Sequence, residues 1–383
     1  MNSGAWWSLM LWAAHDLGRR PGSALLTGGV IALVVTFLAT TLLLIEAWTA
    51  TTTSLIEAGP SLVVRRVTPT GWAPMPLDAS LESARSVTGV TAVEPRIWGL
   101  ASSVDGPLTV VGVTPPLMTE LEVLGYSAPG KGEALVGSGV PISSLDMSIT
   151  LVGVADVTLQ VSGVLPSDVA LAAHDLVFLN EIDARLVLGL SAHEASDLAV
   201  SVYHEAEGTA VRPDLNAAFR FPVNITDRRD AIGAVVGTLT RDGGLATMLL
   251  VPALLAMALL VANAWRDVGG SRRDIGLFKT FGWSTGDLVR VQLIQSLAVA
   301  VPATMTGLAI AWMLVFRPGV TWPGALLLGW RTPPPPLTLT TDGAALVVAT
   351  VVGLVIGPWL LATLVPAIRS ALADPDDLVR GGR

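Results

Sequence analysis

Residues 245–290 read LATMLLVPALLAMALLVANAWRDVGGSRRDIGLFKTFGWSTGDLVR, and two kinds of physics meet in them. The run from Leu245 to Trp265 carries no charge. A hydrocarbon core of about 30 Å needs about 20 apolar residues of helix to cross it. Pro252 lies inside the run and would break a soluble helix, whereas a membrane helix accepts the kink because its freed carbonyl finds a partner nearby. The second half packs Arg266, Arg272, Arg273, Lys279 and Arg290 into one short connection. Short basic loops stay on the cytoplasmic side. The stretch therefore predicts a helix that runs into the cytoplasm and a loop that remains there.

Three further runs are long enough to cross: 21–45, which contains LLTGGVIALVVTFLATTLLLI, then 291–316 with Pro302, and 343–368 with Pro358. Four crossings bring both termini to one side. Arg19 and Arg20 before the first crossing, and Arg369, Arg380 and Arg383 after the fourth, place that side with the basic loop. Composition agrees. Of 383 residues 51% are hydrophobic and 14% charged, against about 25% charged in ordinary soluble domains. The net charge of -8 gives a nucleic-acid partner no electrostatic footing. Cysteine is absent, which excludes disulfides, thiolate metal sites and a cysteine nucleophile.

The opening segment Ala5–Leu17, AWWSLMLWAAHDL, is too short to span. Its basic residues, Arg19 and Arg20, follow the apolar part instead of preceding it, unlike a signal peptide. Trp6, Trp7 and Trp12 suit the headgroup layer, so the segment reads as an interfacial elbow helix. The loop after Phe316 is apolar but broken by Pro318, Gly319, Pro323 and Gly324, then stiffened by Pro333–Pro336. It reads as a cap with Trp322 and Trp330 at the membrane surface.

Between the first two crossings lies a polar domain of α+β texture. SLVVRRV, GVTAVEPRIWG, LTVVGV, SITLVGV, VTLQVSGVL and DLAVSVY read as strands, punctuated by Gly and Pro turns. LDASLESARSV and NEIDARLVLGL read as helices, the second with Asn180 as N-cap. The expected division is 1–20 elbow, 21–57 first crossing and stalk, 58–226 extracytoplasmic domain and 227–265 stalk and second crossing. There follow 266–290 cytoplasmic loop, 291–316 third crossing, 317–342 outer loop, 343–368 fourth crossing and 369–383 cytoplasmic tail. The fold class is thus an α-helical membrane protein with four transmembrane helices and an extracytoplasmic α+β domain.

Enzyme chemistry finds little footing in that domain. Gly125–Lys131 mimics the start of a phosphate-binding loop, but Gly132 stands where a hydroxyl must hold magnesium, so it reads as a turn. Gly137-Ser138-Gly139 lacks the flanks of a nucleophile elbow. His174, His193 and His204 have no metal-ligand spacing and read as surface residues. Asn224-Ile225-Thr226 is a formal glycosylation sequon without weight. No catalytic residue and no metal ligand is assigned.

The basic loop holds more. Ser271 can cap a short helix with Asp274 at its third position, a capping box with Asp for Glu. Ile275, Phe278 and Phe281 form an apolar stripe, Gly282 closes the helix, and Ser284 or Thr285 caps the next crossing with Asp287 in its first turn. Such a helix either docks into a partner's groove, oriented by Arg273 and Lys279, or rests its apolar face on lipid. The residues alone leave both readings open.

The loop resembles the signature of ABC-transporter permeases of the MacB/FtsX/Lol (type VII, FtsX-like) family, roughly R-x-R-E-I-G-L-x-K-A-L-G-A-S. Here it reads Arg272-Arg273-Asp274-Ile275-Gly276-Leu277-Phe278-Lys279-Thr280-Phe281-Gly282-Trp283-Ser284. Similar too are Ala14-His15-Asp16-Leu17-Gly18-Arg19-Arg20-Pro21-Gly22 near the start and Pro366-Ala367-Ile368-Arg369-Ser370 near the end. Val93-Glu94-Pro95-Arg96, Gly132-Glu133-Ala134-Leu135-Val136-Gly137 and Val161-Ser162-Gly163-Val164-Leu165 resemble the MacB-like periplasmic domain. Two departures stand out: Asp274 replaces the usual Glu, and Gln295 stands where an acid often opens the third crossing.

The resemblance implies a non-catalytic permease of the unfused form, without a nucleotide-binding domain, in the bacterial inner membrane with both termini cytoplasmic. It implies an ABC-type ATPase dimer as partner, using ATP and Mg that this chain does not itself bind. A second permease subunit, identical or not, would complete the membrane part, with room for a periplasmic or outer-membrane partner. Arg272, Arg273, Asp274, Ile275, Gly276, Phe278, Lys279, Phe281, Gly282 and Trp283 would couple to the ATPase. Trp6, Trp7, Trp12, Arg19 and Arg20 would form the elbow. Family members transmit the ATPase's movement to the outer domain and so extract, release or export lipoproteins, peptides or hydrophobic compounds. The other reading is an envelope sensor, or a regulator of a cell-wall enzyme, that moves no substrate.

Overall fold

The structure is a computed structural model, and it describes residues 15, 21–104, 106–142, 147–166, 173–204, 208–241, 254, 257–258, 283–317, 320 and 337–372. In chain order, helix α1 (Pro21–Ala58) leads to strands β1 (Leu62–Thr68), β2 (Gly71–Ala73) and β3 (Met75–Pro76), then α2 (Leu77–Arg85). Strands β4 (Val90–Ser103) and β5 (Gly106–Val113) precede α3 (Pro115–Val123), β6 (Glu133–Gly137), β7 (Ser148–Val152), β8 (Asp156–Leu165) and β9 (Leu176–Asn180). Helix α4 (Glu181–Leu188), β10 (Glu194–Ala195), β11 (Asp197–Val202), α5 (Gly208–Ala218), β12 (Val223–Asp227) and α6 (Arg228–Arg241) follow. Helices α7 (Thr285–Phe316) and α8 (Thr341–Leu372) close the described chain. Two compact units result: residues 48–238 with 330–338 form a β-rich unit, and 1–47, 239–329 and 339–383 a helical one.

Three segments among the described residues are long and apolar enough to cross a membrane: Ala24–Ala58, Thr285–Phe316 and Thr341–Val365. The sequence predicts four. The fourth, 245–265, lies outside the described residues apart from Leu254, Met257 and Ala258, of which Met257 is buried in the unit's core. Helix α1 continues unbroken past the expected end of the crossing, to Ala58. Helix α7 starts earlier than the apolar run that predicts it, because Ser284 caps it: its hydroxyl oxygen accepts from the Asp287 amide at 3.2 Å and donates to the Asp287 carboxylate at 2.6 Å.

Small residues let α1 and α7 touch. Gly28 faces Val299 and Ala303, and Gly307 lies against the Ala32 carbonyl and Val35, so closely that a methyl there would sit 2.6 Å from that oxygen. The Thr36 hydroxyl donates to the Gly307 carbonyl at 3.3 Å. Close backbone approach through glycine is how membrane helices gain dispersion contacts without a hydrophobic drive. Position 28 meets 303 and position 36 meets 307, so the two helices run in the same direction. Gly343 at the start of α8 packs on Glu46 near the far end of the membrane part of α1, so α8 runs oppositely.

The β-rich unit turns on β4, whose first half pairs with β11, from Arg96↔Asp197 to Val90↔Val202. Beyond β11 come β1 and β12, both antiparallel. Helices α2 and α5 cover one face of this sheet, with Leu215 of α5 packed in the same core as Leu62, Val64, Val93, Leu198 and Val200. The second half of β4 pairs with β5, from Ile97↔Gly112 to Ser103↔Gly106. The order continues β9, β6, β8, β7, and β7 returns to β4 at Ser102↔Val152. Six strands thus close into a small barrel filled by Val110, Leu151, Leu159, Val177 and Leu179. Closure removes the free edge that an open sheet would expose. Asn180 caps α4 by accepting from the Ile182 amide at 2.9 Å, and Gly189 ends it at φ +70°, a left-handed position suited to glycine.

Candidate functional site

Where β4 leaves the open sheet for the barrel, strand alternation puts Glu94, Arg96 and Trp98 on one face. The register sets Arg96 opposite Asp197, which is fully buried. A carboxylate there would cost several kcal/mol of lost hydration without compensation. Asp197 Oδ1 accepts from Arg96 Nε at 2.7 Å, and Oδ2 from Arg96 Nη2 at 2.8 Å, Trp98 Nε1 at 2.8 Å and Arg65 Nε at 3.3 Å. The Arg65 guanidinium also lies over the rings of Trp98 and Trp72, at 4.7 and 5.2 Å from their centroids. Just before Asp197, the Ser196 hydroxyl accepts from the Trp98 amide at 2.9 Å.

A cleft of about 670 Å³ opens over this network, within the β-rich unit. Arg65, Arg96 and Trp98 line it, Val111, Leu117 and Leu176 supply apolar wall, and Glu94 and Glu120 expose carboxylates. Ala58–Pro60, at the end of α1, form part of its lining. The volume falls in the range of small-molecule sites, about 300–1,000 Å³.

The turn that leads into Asp197 has its own electrostatics. Glu194 accepts from the Ser191 amide at 3.0 Å, and Arg185 donates to the carbonyls of Ser191 and Glu194. The Ser191 backbone amide, then its side chain, hold the Glu194 carboxyl below the ordinary range, with smaller help from the positive charges of Arg66 and Arg185.

The residues singled out in the sequence fall elsewhere. Arg272, Arg273, Asp274, Ile275, Gly276, Phe278, Lys279, Phe281 and Gly282 lie outside the described residues, as do Trp6, Trp7, Trp12, Arg19 and Arg20. Trp283 is half-buried, one residue before the cap of α7. His174, expected at the surface, is instead buried, its Nδ1 3.0 Å from the Ser138 hydroxyl. The turn at Ala173–His174 lies against Gly137 and Gly139: a methyl on Gly137 would meet the Ala173 and His174 carbonyls, and one on Gly139 the His174 ring. Exposed His193 lies 3.6 Å from Asp78, and His204 is exposed. Sequence reading passed over Arg65, Arg96, Trp98 and Asp197. Their signal was a charge in the middle of SLVVRRV and of AVEPRIW, and an acid opening DLAVSVY, all on the strand face opposite the one that the helices cover.

Among comparisons with known proteins, residues 246–371 match the family FtsX-like permease C-terminal. The match spans the Arg272–Ser284 loop together with α7 and most of α8. No curated protein matches the sequence. Two solved structures are similar to parts of the chain. The extracellular domain of the noncanonic ABC-type transporter YknZ from Gram-positive bacteria shares 10% identity, with a TM-score of 0.29, over 43% of this chain and 99% of that one. The periplasmic region of MacB from Actinobacillus actinomycetemcomitans shares 8%, with a TM-score of 0.30, over 47% of this chain and 94% of that one. Likeness at this level says nothing of what the cleft holds. What the comparisons identify is the permease region: residues 246–371 carry an FtsX-like permease C-terminal domain.

Proposed function

We propose that this chain is the membrane subunit of an ABC transporter, coupling ATP hydrolysis by a separate ATPase to movement of its β-rich domain. The observation that carries the reading is the family match over 246–371, which includes the loop Arg272–Ser284. In this reading Ile275, Phe278 and Phe281 seat in a groove of the ATPase while Arg273 and Lys279 orient the helix. The elbow expected at Trp6, Trp7, Trp12, Arg19 and Arg20 would, in the same reading, share the cytoplasmic membrane face with that loop.

Helix direction supports the four-crossing topology that the reading requires. Helices α1 and α7 run the same way, so the chain must return across the membrane an odd number of times between Ala58 and Thr285. The apolar run 245–265 is long enough to be that return. Both termini and the coupling loop then face the cytoplasm, in accord with their arginines, and the β-rich domain faces outward at the inner membrane. Two such permeases pair over two ATPases. The work done outside is export, extraction or release of a lipoprotein, peptide or hydrophobic compound.

Co-purification tests the coupling. The chain solubilised with its candidate ATPase should retain it, and Ile275→Asp with Phe278→Asp should release it while leaving the membrane subunit folded. An ATPase held equally by the double variant would refute this docking site.

A further inference from the structure

The cleft over Asp197 has a charge pattern with no use in the fold. Arg65 gives one donor, its Nε, to Asp197, and Arg96 gives two. A guanidinium carries five N–H donors, so both arginines keep donors free for a second anion among the described residues, each side chain remaining about a third exposed. Glu94 and Glu120 line the same space, exposed, and neither has an ion partner among the described residues. Glu94 lies two residues from Arg96 on one strand face, about 7 Å along it. Val111, Leu117 and Leu176 supply apolar wall. The formal charges are Arg65 and Arg96 against Glu94, Glu120 and Asp197, one negative in excess, so a purely anionic ligand is disfavoured.

We infer that this cleft binds a small diamino-carboxylate with an apolar body, its carboxylate on Arg65 and Arg96, its two ammonium groups on Glu94 and Glu120. The planar fork of arginine takes a carboxylate through two parallel bonds, which fixes the ligand's orientation as well as its charge. The Trp72 and Trp98 rings hold the Arg65 fork in place before the ligand arrives, which reduces the ordering cost of binding. The site stands apart from the ATPase-docking loop, and its occupancy does not depend on that reading.

Calorimetric titration of the full chain in lipid nanodiscs with the dipeptide lysyl-leucine tests this. One saturable site is expected, with the C-terminal amide and the doubly N-acetylated dipeptide each binding at least tenfold more weakly. Glu94→Gln with Glu120→Gln should erase the preference for the unacetylated form while the preference for the free carboxylate remains. Arg65→Gln should do the reverse. The two glutamates are exposed and have no ion partner among the described residues, so their variant decides the matter even if Arg65→Gln misfolds. Absence of saturable binding, or binding indifferent to blocking and to the Glu94→Gln, Glu120→Gln variant, would overturn the assignment.

Discussion

Arg96 and Asp197 stand directly opposite each other in the register of β4 and β11 and meet through two bonds of 2.7 and 2.8 Å. Arg65 reaches the same carboxylate through a single 3.3 Å contact. The two arginines are therefore unequal. Arg96→Ala leaves a buried charge without its main partner and should cost about 3 kcal/mol, near the low end for a broken buried pair because the guanidinium is partly hydrated. Arg65→Ala should cost about 1.5 kcal/mol, the low end for one hydrogen bond to a charged group, because the contact is long and the guanidinium partly hydrated. Hydrogen exchange of the β4 and β11 amides in the full chain measures both. Equal losses, or a larger loss for Arg65, would contradict the network described.

The crossing of α1 and α7 makes a covalent prediction. A Cβ on Gly28 would lie 3.9 Å from that of Ala303, inside the disulfide range of about 3.5–4.5 Å. With no native cysteine in the sequence, Gly28→Cys paired with Ala303→Cys should form an intrachain bond under mild oxidant, seen as a reducible change in gel mobility. Adding Gly307→Val should suppress it, because the new side chain meets the Ala32 carbonyl and Val35 and pushes the helices apart. Crosslinking unchanged by valine would mean that the helices do not touch there.

Acid should loosen the turn that precedes Asp197. The folded state holds the Glu194 carboxyl below its ordinary range, chiefly through the Ser191 amide. A carboxyl with a depressed folded pKa contributes stability above its unfolded value and loses it as pH falls through the folded one. Amide protection of Ser191 should therefore decline as pH drops from the ordinary glutamate range into that lower window. Glu194→Gln should start less protected and change little over the same interval. A wild type as flat as the glutamine variant would count against the assignment.

Much of the β-rich domain was legible because its outer strands alternate. SLVVRRV and VTLQVSGVL bury alternate residues, Leu62 and Val64 in one and Leu159 and Val161 in the other, and six of the runs read as strands fall on strands of the structure. Strands β6 and β9 were not read as strands. EALVG and LVFLN are buried along most of their length, β6 pairing parallel with β8 and β9 parallel with β5, so no period of two marks them. The Ser284 and Asn180 caps were readable because a cap joins residues two or three apart. Asp197 joins residues 101 and 132 positions away, and no local pattern announces it. Arg65 and Arg96 showed only as charges out of place.

Because β4 is one uninterrupted strand woven into two different sheets, neither lobe of the β-rich domain can twist alone. Torsion applied at the Val90 end is handed through the Pro95–Trp98 segment to the barrel wall, with no hinge loop to absorb it. The joint at which that torque must concentrate is also the floor of the cleft, so whatever settles there would set the stiffness of the coupling between the lobes.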